Sequence, residues 1–160
     1  MNSTPTHEAT ALQDATRPGP ESIWGKLLVA WYGLYQAGHL IFNSLYLLHP
    51  GRPPFPPPAG GWLPQTVHFL NGMAVTDLVN AVLGLVFVYG YFARASWRLW
   101  LGTLSLTISI YAASVFTYGT IAMGAWTGHL QGYLWLYVPF MPVIVLFLLV
   151  GGWSVHRTGN

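Results

Sequence analysis

Four long apolar stretches take up nearly all of the sequence beyond residue 22, at about 23–48, 67–92, 97–126 and 133–153. A helix needs about 20 apolar residues to cross a hydrocarbon core, so each stretch is long enough to span a bilayer with some tilt. Hydrophobic residues make up 53% of the chain and Asp, Glu, Lys and Arg only 6%. A soluble domain of this length needs far more charge to cover its surface. The expected fold is therefore all-α, an integral membrane four-helix bundle over residues 23–155. Residues 1–22, rich in Thr and Pro with scattered charge, read as a disordered N-terminal tail.

The placement of charge orients the bundle. With four spans, Arg17, Lys26, Arg94, Arg98 and Arg157 fall on one side and only Arg52 on the other. The positive-inside rule then predicts that both termini are cytoplasmic, with the connections around Arg52 and His129 on the opposite face. The first apolar run is about twice the length of a signal-peptide core, and no small-residue cleavage site follows it, so it reads as a retained span. A bacterial cytoplasmic membrane and the endoplasmic reticulum fit equally well. A formal charge of +2 from six basic residues gives no nucleic-acid surface. The absence of cysteine excludes disulfides, cysteine-ligated zinc and iron–sulfur clusters.

The connections differ in character. Pro50-Gly51-Arg52-Pro53-Pro54-Phe55-Pro56-Pro57-Pro58 cannot be helical, because each proline removes an amide donor and biases its predecessor towards extended backbone, so a stiff cap on the outer face is expected. The turn at 93–96 is short enough to make the second and third helices antiparallel neighbours. Pro139 and Pro142 predict a kink in the last span with a cavity or polar group beside it. Trp24, Trp62, Trp97, Trp100, Trp126 and Trp153 fall near span ends, as an interfacial aromatic belt would.

Polar residues set the helix faces. Tyr32, Gln36, His39, Asn43 and Tyr46 follow one another at spacings of 4, 3, 4 and 3, one narrow stripe at about 100° per residue, and such a stripe must face protein or water rather than lipid. The third span repeats the pattern with Thr103, Thr107, Tyr111, Ser114 and Tyr118. On the second span Met73, Thr76, Asp77, Asn80 and Gly84 share a face. Asp77 is the only acidic residue after Glu21. A lone carboxylate at membrane depth is costly and is retained when it is neutral, paired or functional.

At a rise of about 1.5 Å per residue, His39 and Asp77 lie roughly 14–15 Å below the outer ends of their helices and should meet. The same count brings Gln36 near Asn80 and Tyr111 near Asp77. These residues predict an interior polar pocket with aromatic walls, opening towards the non-cytoplasmic half. An acid–imidazole pair can move a proton to or from an apolar substrate, or anchor the amine or hydroxyl of a lipid-like ligand. The plainer alternative is that the polar residues only hydrogen-bond helices together.

Other sites are less well supported. His49, His68 and His129 match no local metal-ligand spacing, and no metal or cofactor is assigned. Two haem ligands at one depth are excluded for His39 and His68, which differ by roughly 10 Å. A single-histidine haem or pigment site at His39 stays open. There is no phosphate loop, nucleophile elbow or metalloprotease motif.

Gly33-Leu34-Tyr35 and His39 on the first span, Asp77-Leu78-Val79 with Asn80 on the second, the basic turn Arg94 to Arg98, and Tyr137-Val138-Pro139-Phe140 on the last resemble the landmarks of the EXPERA superfamily, membrane proteins of the sigma-2 receptor and emopamil-binding-protein type. The resemblance runs in order over residues 24–153. It implies a four-helix membrane fold whose central cavity takes sterols or amphiphilic amines, with the second-helix acid, here Asp77, at its heart. It also implies sterol-isomerase-like chemistry. Leu47 stands at about the place of a second acid found in that family, so the resemblance carries over one carboxylate. The lysine-rich tail of an endoplasmic-reticulum resident is absent, the sequence ending Arg157-Thr158-Gly159-Asn160.

Taken together, the residues point to a pocket for a sterol-, isoprenoid- or lipid-like small molecule. Asp77 and His39 are the candidate catalytic pair, and Gln36, Asn43, Asn80, Tyr111 and Pro139 are the ligand-binding groups. Proton-shuttle double-bond isomerisation is the reaction such a site suits. The alternative is an accessory subunit of a larger membrane redox or photosynthetic complex. Membrane lipid, a homodimer or a larger membrane complex are the partners compatible with the sequence. Ion transport is disfavoured because one acid–histidine pair makes no path to both sides.

Overall fold

The computed structural model describes residues 21–49 and 53–158, with side chains to residue 155. Most of the N-terminal tail, and Pro50-Gly51-Arg52 of the proline-rich connection, lie outside the described residues. Among the described residues the fold is all-helical with no strand. The helices are α1 (Ile23–Leu48), α2 (Pro64–Phe92), α3 (Arg98–Ala122), α4 (Leu130–Tyr137) and α5 (Met141–Thr158). Three units, α2, α3 and the α4–α5 stretch Leu130–Val155, are long and apolar enough to cross a membrane. With 26 residues α1 has the length, but its polar stripe dilutes its apolar character.

Each boundary has a local cause. Ser22 caps α1, its Oγ accepting from the Gly25 N–H at 3.1 Å. α2 begins at Pro64, three residues before the expected apolar run, because proline at the first helical position loses only an amide that has no intrahelical acceptor. It ends in a Schellman turn, with Ala95 N–H on Gly90 O at 2.9 Å and Arg94 N–H on Tyr91 O at 3.2 Å. This geometry puts Arg94 at φ 57°, a left-handed conformation more often given to glycine. α3 stops at Ala122 rather than 126, where Gly124 (φ 73°) and Gly128 (φ 79°) carry the chain round to α4.

The kink expected in the last span is a complete break. Phe140 N–H turns back to Tyr137 O at 3.0 Å and Val143 N–H to Phe140 O at 2.9 Å. Val143 is thereby lost as a helical donor to the Pro139 carbonyl, which instead accepts from Trp31 Nε1 at 2.9 Å. A tryptophan of α1 thus pins the break.

The helices pack α1 on α2, α2 on α3, α3 on α5, and α5 back on α1, enclosing a shared interior. Glycines permit the closest approaches. A Cβ on Gly102 would lie 2.6 Å from the Phe87 ring, and one on Gly90 would lie 2.4 Å from the Trp97 ring. The core is apolar, built on Val29, Phe87, Leu106, Val143, Leu146 and Val150. Trp24 and Trp100 lie exposed near helix starts as a belt requires, whereas Trp153 is buried in this core. At this end Arg98, buried, reaches Glu21 at 3.2 Å, with Arg94 at 4.0 Å from the same carboxylate.

Candidate functional site

The helix faces converge on a cavity of about 440 Å³. Gln36, His39 and Asn43 of α1, Asp77 and Asn80 of α2, and Pro139 at the break all line it, so six of the seven residues singled out in the sequence share one site. Aromatic rings supply much of the remaining wall, among them Tyr35, Phe116, Tyr137 and Phe140. Tyr35 leans on His39, ring centroids 4.4 Å apart, and on Phe140 at 5.9 Å.

Tyr111 is the exception. It is 70% exposed and is not part of the cavity wall. Two residues correspond to about 200° on a helix, so with Ser109 directed inwards Tyr111 must point away. The stripe Thr107, Tyr111, Ser114 and Tyr118 is the outer face of α3, and Ser105, Ser109, Ala112 and Phe116 form much of the inner one. Thr76, expected on the inner face of α2, is also exposed and back-bonds to Gly72 O at 3.1 Å.

His39 Nδ1 stands 3.8 Å from Asp77 Oδ2, the meeting expected from depth matching. This is an ion-pair distance and too long for a hydrogen bond. Among the described residues neither side chain makes a hydrogen bond, and each keeps part of its surface open, 36% for His39 and 21% for Asp77.

The polar residues below them are, by contrast, paired with one another. Ser105 Oγ donates to Asn80 Oδ1 at 3.1 Å, Asn80 Nδ2 donates to Ser109 Oγ at 2.9 Å, and Gln36 Nε2 donates to the same oxygen at 3.1 Å. Ser109 spends its own proton on Ser105 O at 3.1 Å. With both Ser109 lone pairs taken by the amides, the Tyr32 hydroxyl gives its proton to Ser105 Oγ at 2.7 Å rather than to Ser109 Oγ at 3.0 Å. The donor directions of this closed network are thus fixed. Gln36, Asn80 and Ser109 belong both to the network and to the cavity wall. A Cβ on Gly84 would fall 2.7 Å from Gln36 Cγ, so only glycine leaves that amide its place. Beyond Tyr32 the interior is apolar, with Phe87 at a ring-centroid distance of 6.0 Å and then Val29 and Leu106.

The proline-rich connection covers the other end. Phe55 lines the cavity and meets Phe116 at 5.1 Å between ring centroids. Tyr133 Oη donates to Pro56 O at 2.9 Å, and the Tyr133 ring stacks on Trp126 at 5.2 Å. The Tyr137 hydroxyl bonds Thr117 Oγ1, tying α4 to α3.

Ser105, Ser109 and Phe55 were missed in the sequence. Serine is ordinary in membrane helices, and only its position opposite two amides gives it a role. His49, His68 and His129 are exposed, and among the described residues no three metal-ligating side chains come together.

The cavity can hold a mainly apolar molecule against aromatic walls and offer one carboxylate and one imidazole to a polar end. No family model, curated relative or solved structure matches the chain.

Proposed function

We propose that this chain is a multi-pass protein of four transmembrane helices, both termini cytoplasmic, that binds a sterol-, isoprenoid- or lipid-like small molecule inside the membrane. The observation carrying this reading is the Asp77 carboxylate, which lines the cavity beside His39 without a hydrogen bond of its own. Gln36 and Asn80 hydrogen-bond across helices to Ser109, whereas the Asp77 carboxylate meets only the His39 imidazole at ion-pair distance and lines the cavity. A carboxylate in apolar surroundings without such bonds is costly to maintain. A ligand hydroxyl or amine in the cavity can hydrogen-bond this carboxylate.

The same pair suits double-bond isomerisation. The protonated member of the pair delivers a proton to one alkene carbon, and the other removes one from the allylic carbon, so the double bond moves without any change of oxidation state. Gln36, Asn43 and Asn80 orient the ligand, and Pro139 shapes the wall at the break. Among the described residues the core beyond Tyr32 is built on Phe87, Val29 and Leu106, which favours binding or local proton transfer over transport.

Mass spectrometry and an absorption spectrum of gently purified wild type and Asp77→Asn test the reading. A colourless sterol- or isoprenoid-like molecule present in wild type and lost from a folded Asp77→Asn supports it. A pigment, or stoichiometric foreign subunits, favours the accessory-subunit alternative. Solvent deuterium entering the allylic position of the recovered ligand, in wild type alone, tests the isomerase step.

A further inference from the structure

The outer face of α3 carries polar groups that the cavity does not use. Leu104, Thr107, Tyr111, Ser114, Tyr118 and Ile121 are all exposed, and they follow one another at spacings of 3, 4, 3, 4 and 3. This is the spacing of a heptad seam, the pattern by which two helices interlock side chains over their length. Tyr111 and Tyr118 are 70% and 78% exposed. Tyr111 sits near the middle of a helix apolar enough to span a membrane, where lipid offers a phenol no acceptor.

The hydroxyls on this face are complementary to one another. Thr107 Oγ1 donates to Thr103 O at 2.7 Å and Ser114 Oγ to Ile110 O at 2.8 Å, so each has spent its proton and retains lone pairs that can accept. Among the described residues the Tyr111 and Tyr118 hydroxyls make no hydrogen bond and retain a proton to give. Within one copy, among the described residues, these groups are not joined. Two parallel copies can join them: at this point of the seam a side chain packs between the partner's seam residues four before and three after it, which places Tyr111 of one copy between Thr107 and Ser114 of the other.

We infer that the outer face of α3 is a homodimer interface, on which a second copy of this chain packs its own α3 in parallel about a two-fold axis along the membrane normal. A second copy is the occupant the geometry selects. The face carries no charge, so it calls for no oppositely charged partner. Copies inserted with one topology also present the same ladder at the same depth without adjustment. The inference rests on the membrane placement of α3 and is independent of what the cavity binds.

The absence of native cysteine makes the test clean. Full-length Ser114→Cys and Thr107→Cys variants are treated in native membranes with a short bifunctional maleimide, beside Ile41→Cys, an exposed position on α1. A dimer band several-fold stronger at both α3 positions than at Ile41, and persisting on dilution into excess lipid, is the expected result. Cross-linking no stronger than at Ile41, or adducts only with a protein of different mass, overturns the interface. Recovery of the chain outside the membrane fraction overturns this inference together with the cavity reading. Membrane recovery without site-specific cross-links overturns this inference alone. As a second readout, Tyr111→Phe with Tyr118→Phe should lower the dimer fraction of Ser114→Cys while leaving the monomer folded, and an unchanged fraction counts against hydroxyl pairing.

Discussion

His39 and Asp77, on adjacent helices, bring an imidazole nitrogen within 3.8 Å of a carboxylate oxygen at the wall of a cavity, and neither makes a hydrogen bond among the described residues. A pair this loosely held contributes little to the fold. Asp77→Asn removes a charge that apolar surroundings disfavour and should leave detergent-phase stability equal or raised, and His39→Gln should change it by less than about 1 kcal/mol, the range of weakly engaged ion pairs, while each abolishes or sharply reduces co-purified ligand. Thermal unfolding alongside mass spectrometry separates the two effects. A large stability loss with ligand retained would assign the pair to helix packing.

Ser109 sets the opposite expectation. Its Oγ accepts from both Gln36 and Asn80 in the buried interior, so Ser109→Ala leaves two amide donors without their acceptor. Each buried unsatisfied group costs about 1–3 kcal/mol, and the variant should be markedly less stable than Tyr32→Phe, which removes one hydroxyl at about 1 kcal/mol. Parallel denaturation of the two variants gives the order. Equal losses would mean that the network re-forms around the missing serine.

Much of this site can be read from the sequence, for a physical reason. A side chain at a known depth and angle on a helix has few neighbours, and a bilayer fixes depth. The matches His39 with Asp77 and Gln36 with Asn80 follow from that. Tyr111 shows where the reasoning stops. α3 has polar residues on two faces, and periodicity places them on stripes without saying which stripe turns inwards. The amides decide it: Gln36 and Asn80 find their hydrogen-bond partners in Ser109 and Ser105, which turns that face of α3 inwards. Phe55 was hidden for another reason, since a proline-rich connection has no periodicity to place its side chains. The break at 138–140 was legible as a kink from two prolines, but its capture by Trp31 depends on a contact 108 residues away in sequence.

The glycines separate close packing from open space. Gly84→Ala forces a methyl to within 2.7 Å of Gln36 Cγ and should destabilise by about 1–3 kcal/mol, as overpacked cores do, with ligand loss because the displaced amide is part of the cavity wall. Gly72→Ala, with nothing within 4 Å of the added carbon, should be neutral or stabilise α2 by about 0.5–1 kcal/mol through helix propensity. Opposite signs at two positions of one helix are the outcome expected in a thermal-shift comparison. A stabilised Gly84→Ala would show that Gln36 does not hold the position described.

The proline-rich strap is held over the cavity by one hydrogen bond from Tyr133 and by the Phe55 ring against Phe116. Tyr133 Oη holds Pro56 O at 2.9 Å, while the ring itself is fixed by stacking on Trp126. Tyr133→Phe preserves the stack and removes only the bond, at a cost of about 0.5–1.5 kcal/mol. The Phe55 ring, seated on Phe116, reports on this part of the strap. A fluorine-labelled Phe55 ring should show greater motion in Tyr133→Phe while amides within α1, α2 and α3 keep their wild-type protection from exchange. Ligand should then leave faster as well, because Phe55 lines the cavity and meets α3 through Phe116. Phe55→Ala should speed release further, since it removes the ring itself. If Phe55→Ala leaves the release rate unchanged, the strap is no barrier and the ligand exchanges between helices on the bilayer side.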